Sequence, residues 1–298
     1  MHATLEQIIQ RVPEWRGKPY EASLLGGGLT NQNYRVEVDG AFYVVRICGH
    51  DTELLGINRR HEYECNLIAA EAGVAPRVVA FFPDLGSLVT QYVDGVKRPA
   101  SEIGTRENIE RVVRSVRALH GARTFPSQWS PFRMIEGYAQ TASRLGCPIP
   151  YDGEVLSADL RHIEQVLYRD AAPQAVPCHN DLLNDNFLDD GSMRIIDYEY
   201  AAMGDPYFDL ANFSSHHRLT DEQDVWLLEA YARRADAADM RRLQLMKLVS
   251  DVREAMWGVV QIRLSKLDFD YEAYAREWFG RYQVKRASMN RAWLSAND

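Results

Sequence analysis

The sequence lacks the features of a secreted, disulfide-stabilised or membrane-spanning protein. Its four cysteines are widely and irregularly spaced and form no CxxC pair, so neither disulfide bridges nor a zinc site is expected. No run of about 18 apolar residues occurs, and the N-terminus has no basic segment followed by a continuous apolar stretch. We therefore expect a cytoplasmic protein with reduced thiols and no stable membrane association.

The sequence also lacks a surplus of basic residues. Its 34 lysines and arginines are outnumbered by 42 acidic residues, which gives a formal net charge of −8. Because proteins neutralise the phosphates of nucleic acids and anionic membranes with basic surfaces, this balance argues against a nucleic-acid partner and is compatible with a cationic substrate. With 46% hydrophobic residues and no low-complexity segment, the whole length of 298 residues is predicted to fold, with room for two modest domains.

The first third of the chain has the pattern of a β-rich lobe. Asp39 and Gly40 form a typical two-residue hairpin turn, so the strands on either side are expected to be antiparallel. Residues 58–72 contain good helix formers and precede Gly73 and Pro76, which predicts one helix. Short apolar, β-branched and aromatic runs predict five strands, at residues 22–25, 33–38, 41–47, 77–82 and 87–92.

Three consecutive glycines, Gly26 to Gly28, follow the first predicted strand, and Leu29, Thr30 and Asn31 complete the loop. Since glycine permits positive φ values, the backbone N–H groups of such a loop can approach a phosphate. A flexible hairpin loop without a ligand has the same composition, and the spacing does not match the GxGxxG pattern. The loop alone therefore leaves both interpretations open.

Beyond residue 92 the pattern changes from strands to helices. Residues 93–95 mark the expected hinge, which divides the chain into a lobe of residues 1–92 and a lobe of residues 93–298. In three segments of the second lobe, apolar side chains recur with the helical period of about 3.6 residues and predict buried helix faces. These side chains are Ile109, Val112, Val113, Val116 and Leu119; Val155, Leu160, Ile163, Val166 and Leu167; and Leu243, Leu245, Met246, Val249, Val252, Met256, Val259 and Val260.

One short segment of the helical lobe, residues 178–200, has a β-rich pattern with many polar residues. Residues 189–191, Asp-Asp-Gly, supply a turn. Residues 187–188 and 193–196 are therefore expected to pair as an antiparallel hairpin. The pairing folds the end of the second strand back towards the start of the first.

This hairpin brings oxygen-bearing side chains together. Asn186 is expected roughly opposite Ile195, about two residues from Asp197, so the two polar side chains can bind one ion. Carboxylate and amide oxygens suit Mg²⁺, whereas zinc sites use thiolates or imidazoles. Phosphoryl transfer needs such a metal and a carboxylate that accepts the proton of the attacking hydroxyl, and Asp181 suits the second role. Turn and capping functions also place Asp and Asn in loops, but they explain this whole set poorly.

The segment resembles the phosphotransferase family that contains choline/ethanolamine kinases and aminoglycoside phosphotransferases. The resemblance rests on HNDLLNDNFL and IIDYEYA, and it extends to LLGGGLTNQNYRV, VVRI and RHEYECNLIAAEAGVAPRVV, so that it covers most of the chain. It implies an α+β, bilobal, protein kinase-like fold, with a five-stranded antiparallel sheet and one main helix in the N-terminal lobe and a larger, mainly helical C-terminal lobe. It also implies an enzyme that uses ATP and Mg²⁺ to phosphorylate the hydroxyl of a small molecule.

The resemblance assigns roles to residues of the polar segment. Asp181 becomes the catalytic base, and Asn186 and Asp197 become the ligands of Mg²⁺. His179 is expected to orient the loop by hydrogen bonding rather than to transfer protons. Asp209, which follows Asp-Pro-Tyr-Phe, is expected to support the catalytic loop.

The resemblance also assigns a nucleotide site to the first lobe. Arg46 falls where the family keeps the cation that contacts the nucleotide phosphates, and its fork of donors suits that task. Glu62 is its expected acidic partner, with Glu64 as the alternative if the alignment is shifted. The residues expected to bind the cofactor from the loop are Gly27, Gly28, Thr30 and Asn31.

For the acceptor, the WGVVQ segment and the LDFDYEAYARE segment resemble choline kinases more than aminoglycoside phosphotransferases. Tyr200, Trp257 and Tyr271 match aromatic positions that bind a cationic substrate, because the face of an aromatic ring attracts an ammonium group. Each of the three also suits a place in the core. Two positions depart from the choline kinase pattern: Val260 replaces a second tryptophan, and His216 replaces a glutamate.

The sequence therefore predicts a kinase of a small, cationic amino alcohol such as choline or ethanolamine. A kinase of an aminoglycoside, a sugar or a thiamine-like acceptor with the same fold is the alternative. A nucleotide-binding regulatory module without activity is a further alternative, which the joint presence of Asp181, Asn186 and Asp197 disfavours.

Overall fold

A five-stranded antiparallel sheet forms the first part of the chain. In the computed structural model, which describes residues 4–26, 31–48, 55–171 and 174–289, its strands are β1 (Tyr20–Leu25), β2 (Asn31–Val38), β3 (Ala41–Cys48), β4 (Val78–Phe82) and β5 (Ser87–Gln91). They lie in the order β1-β2-β3-β5-β4. All five predicted strands are confirmed, and Asp39 (φ 53°) and Gly40 (φ 76°) take the positive φ values of the predicted turn between β2 and β3.

Two helices accompany this sheet. Helix α1 (Leu5–Arg11) begins at a capping box made by Thr4 and Gln7 and packs its apolar face against the sheet. Its two turns are too short for a clear periodic pattern, and the sequence did not predict it. Helix α2 (Arg59–Glu71) confirms the one predicted helix of this lobe and begins at Asn58, whose side chain caps its first turn.

The rest of the chain is mainly helical. Its longest helix runs through the centre of this part and contacts five of the others. The helices are α3 (Ala100–Ile103), α4 (Arg106–His120), α5 (Pro131–Leu145), α6 (Gly153–Tyr168), α7 (Pro206–His216), α8 (Asp221–Ala232), α9 (Ala237–Leu264) and α10 (Tyr271–Ser288). Helix α9, with 28 residues, packs on α5, α6, α7, α8 and α10. The predicted α+β, kinase-like fold is confirmed.

The predicted apolar faces of α4 and α9 are buried over their whole length. The face predicted for α6 is wrong in part, because Val155 is 39% exposed and Leu160 is only half-buried. Leu156 and Ile163, two turns apart, are the buried residues of this helix. Helix α6 lies at the edge of the bundle and contacts α9 through a narrow strip, so the contact buries fewer positions than the apolar pattern suggests.

Two short hairpin-like pairs lie between α6 and α7. Strands β6 (Val176–Cys178) and β9 (Ala202–Gly204) pair antiparallel, and so do β7 (Phe187–Asp189) and β8 (Met193–Ile195). The second pair confirms the predicted hairpin, but the predicted register is wrong by one residue. Phe187 lies opposite Ile195, and Asn186 accepts a backbone hydrogen bond from Ile196 at 3.0 Å. The short turn at Gly191 (φ 102°) sets this register and brings Asn186 one residue nearer to Asp197 than expected.

Two hydrophobic cores are present in the described residues. The smaller core lies between α1 and the sheet and includes Ile8, Val36 and Val45. The larger core fills the helical part and also takes in Ile68 and Ala69 of α2. Helix α2 precedes residue 92 in the chain but packs into the core of the second lobe. The cores therefore do not divide at residue 92, and the lobe boundary there stays a prediction. Among the described helices, none combines the length and apolarity that crossing a membrane requires.

Candidate active site

The loop that follows β6 contains the predicted catalytic base and is fixed by buried side chains of α7. Asp209, in the first turn of α7, accepts hydrogen bonds from the backbone N–H groups of His179 (2.8 Å) and Asn180 (2.6 Å). Asn212 accepts another from the N–H of Leu182 at 2.6 Å. Asn180 has a φ of 64°, a left-handed conformation that asparagine tolerates. The backbone is thus held on both sides of the base.

His179 connects this loop to the strand that precedes Asp197. Its Nε2 lies 3.1 Å from the carbonyl oxygen of Ile196, and its ring packs edge-on against Tyr198 with 4.9 Å between the centroids. The side chain is fully buried. These contacts suit the orienting role that was predicted for His179, and so do the contacts of Asp209 for its supporting role.

Asp181, Asn186 and Asp197 all line one cavity of about 420 Å³. The Nδ2 of Asn186 donates to the backbone carbonyl of Asp181 at 2.8 Å and lies 3.4 Å from its carboxylate. Because the nitrogen end of the amide is used in this way, the oxygen end of Asn186 is the part that a cation can use. Asp197 has a φ of 71°, unusual for a residue other than glycine. The structure therefore brings together the three side chains predicted for catalysis and metal binding.

A buried arginine contacts the predicted base. Arg253, on α9, is 1% exposed and donates from Nη1 to Oδ1 of Asp181 at 3.0 Å. The same nitrogen donates to Glu254, and the guanidinium lies 4.7 Å from the ring centre of Tyr200. Burial raises the pKa of Asp181 above its ordinary value, and the positive charge of Arg253 opposes that shift.

Arg46, the predicted phosphate contact, lies on β3 beside the same cavity. Its Nη1 donates to Glu62 of α2 and, at 3.0 Å, to Asp197. Glu64 instead pairs with Arg60 on the exposed side of α2, at 2.8 Å. Of the two candidates, Glu62 is therefore the partner of Arg46 in this structure.

A second arginine lies in the same cluster. Arg59, at the start of α2, donates from Nη1 to Glu62 at 2.8 Å and to Glu199 at 3.1 Å. Burial and the nearby carboxylate of Asp197 raise the pKa of Glu199 to about 8. Asn31, predicted to bind the cofactor, donates to Glu199 at 3.3 Å and accepts from Arg59 at 3.1 Å. The other loop positions predicted to bind the cofactor, Gly27, Gly28 and Thr30, lie outside the described residues.

The predicted acceptor residues are only partly brought together. Tyr200 and Trp257 line the cavity, as does Tyr274. Tyr271 is absent from the described lining: its hydroxyl lies 2.9 Å from Oγ of Ser265, and its ring lies behind Trp257 at 5.9 Å. The prediction for Tyr271 therefore needs correction, because Tyr274, three residues along α10, lines the cavity in its place.

Glu254 is a further residue of this end of the cavity that the sequence did not single out. It is 3% exposed, and its Oε2 accepts a hydrogen bond from the hydroxyl of Tyr274 at 3.0 Å. His216, which stands where choline kinases are expected to have a glutamate, approaches Oε1 of Glu254 to 3.2 Å. Val260 is fully buried in the core, so it adds no wall to the cavity.

Comparison with known proteins supports the family suggested by these motifs. The family model described as phosphotransferase enzyme family matches residues 21–246. The chain belongs to the phosphotransferase enzyme family. The matched range contains most of the first lobe, the loop after β6 and the hairpin that precedes Asp197.

Similar proteins match the phosphotransferase over most of its length. Protein LicA of Haemophilus influenzae is 27% identical over 266 residues, which cover 87% of this chain and 76% of LicA. Ethanolamine kinase 2 of Rattus norvegicus is 26% identical over 314 residues, with 93% and 79% of the two chains covered. A choline/ethanolamine kinase family protein from Mesorhizobium loti has a structure with a TM-score of 0.82 and 29% identity, over 97% of this chain and 96% of its own. The predicted family and the predicted enzyme class, an alcohol-directed phosphotransferase, are confirmed.

The side chains of this phosphotransferase site fit a hard divalent cation. The amide oxygen of Asn186 and the carboxylate of Asp197 reach the same cavity, and both are oxygen ligands of the kind that Mg²⁺ prefers. No thiol lines the cavity in the described residues, and the nearest cysteine in sequence, Cys178, is fully buried with its pKa raised by that burial. The donor set therefore matches magnesium rather than zinc.

Four functional candidates of the phosphotransferase were missed: Arg59, Glu199, Arg253 and Glu254. A signal existed for Glu199, since it lies only two positions after Asp197, which had been identified. No local signal existed for Arg253 or Glu254. They follow one another on α9 and lie 72 residues and more beyond Asp181.

Proposed function

We propose that this phosphotransferase transfers the γ-phosphate of ATP to the hydroxyl of a small amino alcohol, such as choline or ethanolamine. The observation that supports this most is that one cavity is lined by both groups of residues. Asp181, Asn186 and Asp197 line it, and so do Trp257 and Tyr274. The similarity to ethanolamine kinase 2 and to a choline/ethanolamine kinase family protein supports the same class of acceptor.

The chemical step needs a base beside the acceptor. Asp181 accepts the proton of the acceptor hydroxyl while the oxygen of that hydroxyl forms a bond to the γ-phosphorus. The bond between the γ-phosphorus and the oxygen that bridges it to the β-phosphate breaks at the same time, and ADP is released. Its backbone is immobilised by α7, and one carboxylate oxygen is held by Arg253, which fixes the direction of the other. Asn186 and Asp197 would hold Mg²⁺, which neutralises the charge of the phosphate oxygens.

Arg46 positions the nucleotide in this proposal. The guanidinium is held between Glu62 and Asp197, which orients it at the cavity. A fork of fixed donors suits phosphate oxygens better than a flexible ammonium does. Pre-orientation reduces the conformational entropy that phosphate binding would otherwise cost.

The aromatic side chains Trp257 and Tyr274 position the acceptor. Their rings lie 5.6 Å apart at an angle of 68°, so they form two walls of a corner rather than a stack. An ammonium group in that corner is attracted by the face of an aromatic ring, which carries the negative part of its charge distribution.

A screen of acceptors tests the proposal. ADP formation from ATP and Mg²⁺ is measured with choline, ethanolamine, thiamine, a hexose and an aminoglycoside, with and without an excess of chelator. Turnover with choline or ethanolamine that the chelator abolishes is the expected result. Turnover with only the hexose or the aminoglycoside would overturn the proposed acceptor, and nucleotide binding without turnover of any acceptor would indicate a regulatory module.

A further inference from the structure

The part of the cavity lined by Trp257, Tyr274 and Glu254 is called the acceptor end. A carboxylate that is missing there at one position is supplied by another helix. His216, at the end of α7, takes the place of an expected glutamate, but Glu254 of α9 lies against it with Oε1 3.2 Å from the imidazole Nε2. Glu254 lines the cavity together with Trp257 and Tyr274. The acceptor end therefore has a carboxylate, which comes from α9 rather than from α7.

The position of Glu254 is fixed by several contacts. Its Oε1 accepts a hydrogen bond from Arg253 and lies 3.4 Å from the side-chain amide of Asn212. Its Oε2 accepts one from the hydroxyl of Tyr274 at 3.0 Å. A carboxylate oxygen can accept two hydrogen bonds, so Oε2 keeps the capacity for a further donor from the cavity.

The ionisable groups at the acceptor end include one more carboxylate than cation. Asp181 and Glu254 are both bonded to the same nitrogen of Arg253, so two carboxylates share one guanidinium. A buried group of two anions and one cation is stabilised by one more cation, and the cavity is the side from which that cation can approach.

The aromatic rings that line the acceptor end are too few to bind an ammonium group without the help of a carboxylate. A quaternary ammonium has no N–H and is bound mainly by aromatic faces, whereas a primary ammonium also donates charge-assisted hydrogen bonds. Here Trp257 and Tyr274 line the cavity and Val260 is buried in the core. An acceptor with N–H groups gains more from this arrangement than one without.

We propose that Glu254 is a specificity-determining residue that receives the ammonium group of the acceptor by hydrogen bonding to Oε2, and that it makes the enzyme select a primary amino alcohol over quaternary and neutral analogues. The inference rests on the proposed function. Tyr274 positions the carboxylate, and Arg253 keeps it in place between the acceptor and the base.

The test compares acceptors of similar length that differ in charge and in N–H groups. The kcat/KM values for ethanolamine, choline and ethylene glycol are measured for the wild type, Glu254→Gln and Glu254→Asp, together with the KM for ATP. Glutamine keeps the shape of the side chain and removes its charge. We expect Glu254→Gln to lower kcat/KM for ethanolamine by about 30-fold or more, the scale for losing one partner of a buried charge pair, and to leave the KM for ATP unchanged.

Asp251→Asn is the matched control. Asp251 lies one turn earlier on the same helix, is fully buried and pairs with Lys285 at 2.6 Å. It is not among the described residues that line the cavity. Its substitution should lower the melting temperature but leave the ratio of ethanolamine to ethylene glycol unchanged. The double variant His216→Glu, Glu254→His moves the carboxylate to the other side of the 3.2 Å contact. It should recover part of the preference for ethanolamine over ethylene glycol that Glu254→Gln loses.

The results separate the two proposals. If the wild type phosphorylates amino alcohols and Glu254→Gln keeps the wild-type preference for ethanolamine over ethylene glycol, the role of Glu254 is wrong and the proposed function stands. A wild type that favours choline over ethanolamine also contradicts the role of the hydrogen bond. A wild type that favours ethylene glycol over both cations contradicts the proposed function, and the inference with it.

Discussion

Asp181 is the residue on which the proposed chemistry depends. Asp181→Asn keeps the size of the side chain and an oxygen that can accept from Arg253, so the cavity should keep its shape. Loss of the base should lower kcat by about two orders of magnitude or more, with little change in the Kd for ATP. Single-turnover kinetics and nucleotide titration measure the two quantities. Asp190→Asn, in the nearby turn and bonded to Arg194, is the control, and a kcat equal to wild type for Asp181→Asn would rule out the base role.

Arg253 should affect catalysis beyond its effect on stability. Arg253→Met leaves Asp181 and Glu254 as buried carboxylates without their shared cation, which should cost about 3–5 kcal/mol of unfolding free energy and lower kcat strongly. Arg253→Lys should recover part of kcat, because it restores the positive charge on a side chain of different length and shape. Denaturant unfolding and steady-state kinetics give both values.

Lys247→Met is the control for Arg253, since Lys247 is a buried cation of the same helix that pairs with Asp224 at 2.5 Å. It should lose a similar free energy of unfolding and keep kcat at temperatures where it is folded. Equal losses of kcat in Lys247→Met and Arg253→Met would show that Arg253 acts through stability alone.

At this scale the sequence predicted those residues whose partners are close in the chain. Asp181, Asn186 and Asp197 belong to one loop and one hairpin, so residue type and spacing were enough to group them. Glu254 and Tyr274 meet only because α9 and α10 pack together, and a local pattern contains no information on which faces of two helices touch.

The packing of α9 on α10 is the feature at the scale of elements that shapes the acceptor end. Gly258 lets the helices approach, because a Cβ at this position would lie 2.8 Å from Cδ1 of Tyr274. Gly258→Ala should therefore displace Tyr274, raise the KM for the acceptor several-fold, and destabilise the fold by about 1–3 kcal/mol through overpacking. The KM for ATP should stay the same, because Arg46 is held by Glu62 and Asp197, whereas Tyr274 bonds to Glu254.

Gly280→Ala provides the comparison for Gly258→Ala. Gly280 lies on α10 and an added Cβ would meet no atom within 4 Å, so alanine should stabilise the helix by up to about 1 kcal/mol. Both variants are compared by thermal unfolding and by the KM for the acceptor. An unchanged acceptor KM in Gly258→Ala would mean that Tyr274 does not contact the substrate.

The strands of the sheet were predictable as elements because their apolar runs are bounded by turn residues such as Asp39 and Gly40. The hairpin at Gly191 was predictable too, but its register was not. The number of residues in the turn decides which residues are opposed, and the Asp-Asp-Gly sequence suits more than one turn. The predicted buried face of helix α6 was wrong in part for a different reason. Periodicity gives the apolar face of a helix, but not the width of the surface that this face contacts.

For the whole molecule, the two lobes are connected by charge pairs as well as by the chain. Arg46 and Arg59 of the first lobe bond to Asp197 and Glu199 beyond the hairpin, at 3.0 and 3.1 Å. The order of strands and helices predicted the two-lobed, kinase-like architecture. It did not predict that α2 would join the larger core, because both lobes offer apolar surface to the same helix face.

The stability of the whole molecule should depend on pH through His217, which lies at the end of α7. Its ring packs 4.3 Å from that of Phe213, and its Nδ1 lies 2.8 Å from the carbonyl oxygen of that residue. Burial lowers the pKa of His217 from 6.5 to about 4. Between these values the unfolded chain binds a proton that the folded chain excludes, so this contribution is complete above pH 6.5 and is lost as the pH falls to about 4.

Glu199 acts in the opposite direction, because its pKa is raised to about 8 and the folded chain keeps a proton that the unfolded chain releases. The measurement must therefore be a difference between two proteins rather than one pH curve. The unfolding free energy of His217→Asn and of the wild type is compared from pH 7.5 to 4.5. We expect the wild type to lose about 2–3 kcal/mol relative to the variant on acidification, since each pKa unit corresponds to about 1.4 kcal/mol. Parallel curves for the two proteins would show that the folded chain protonates His217 as readily as the unfolded chain does.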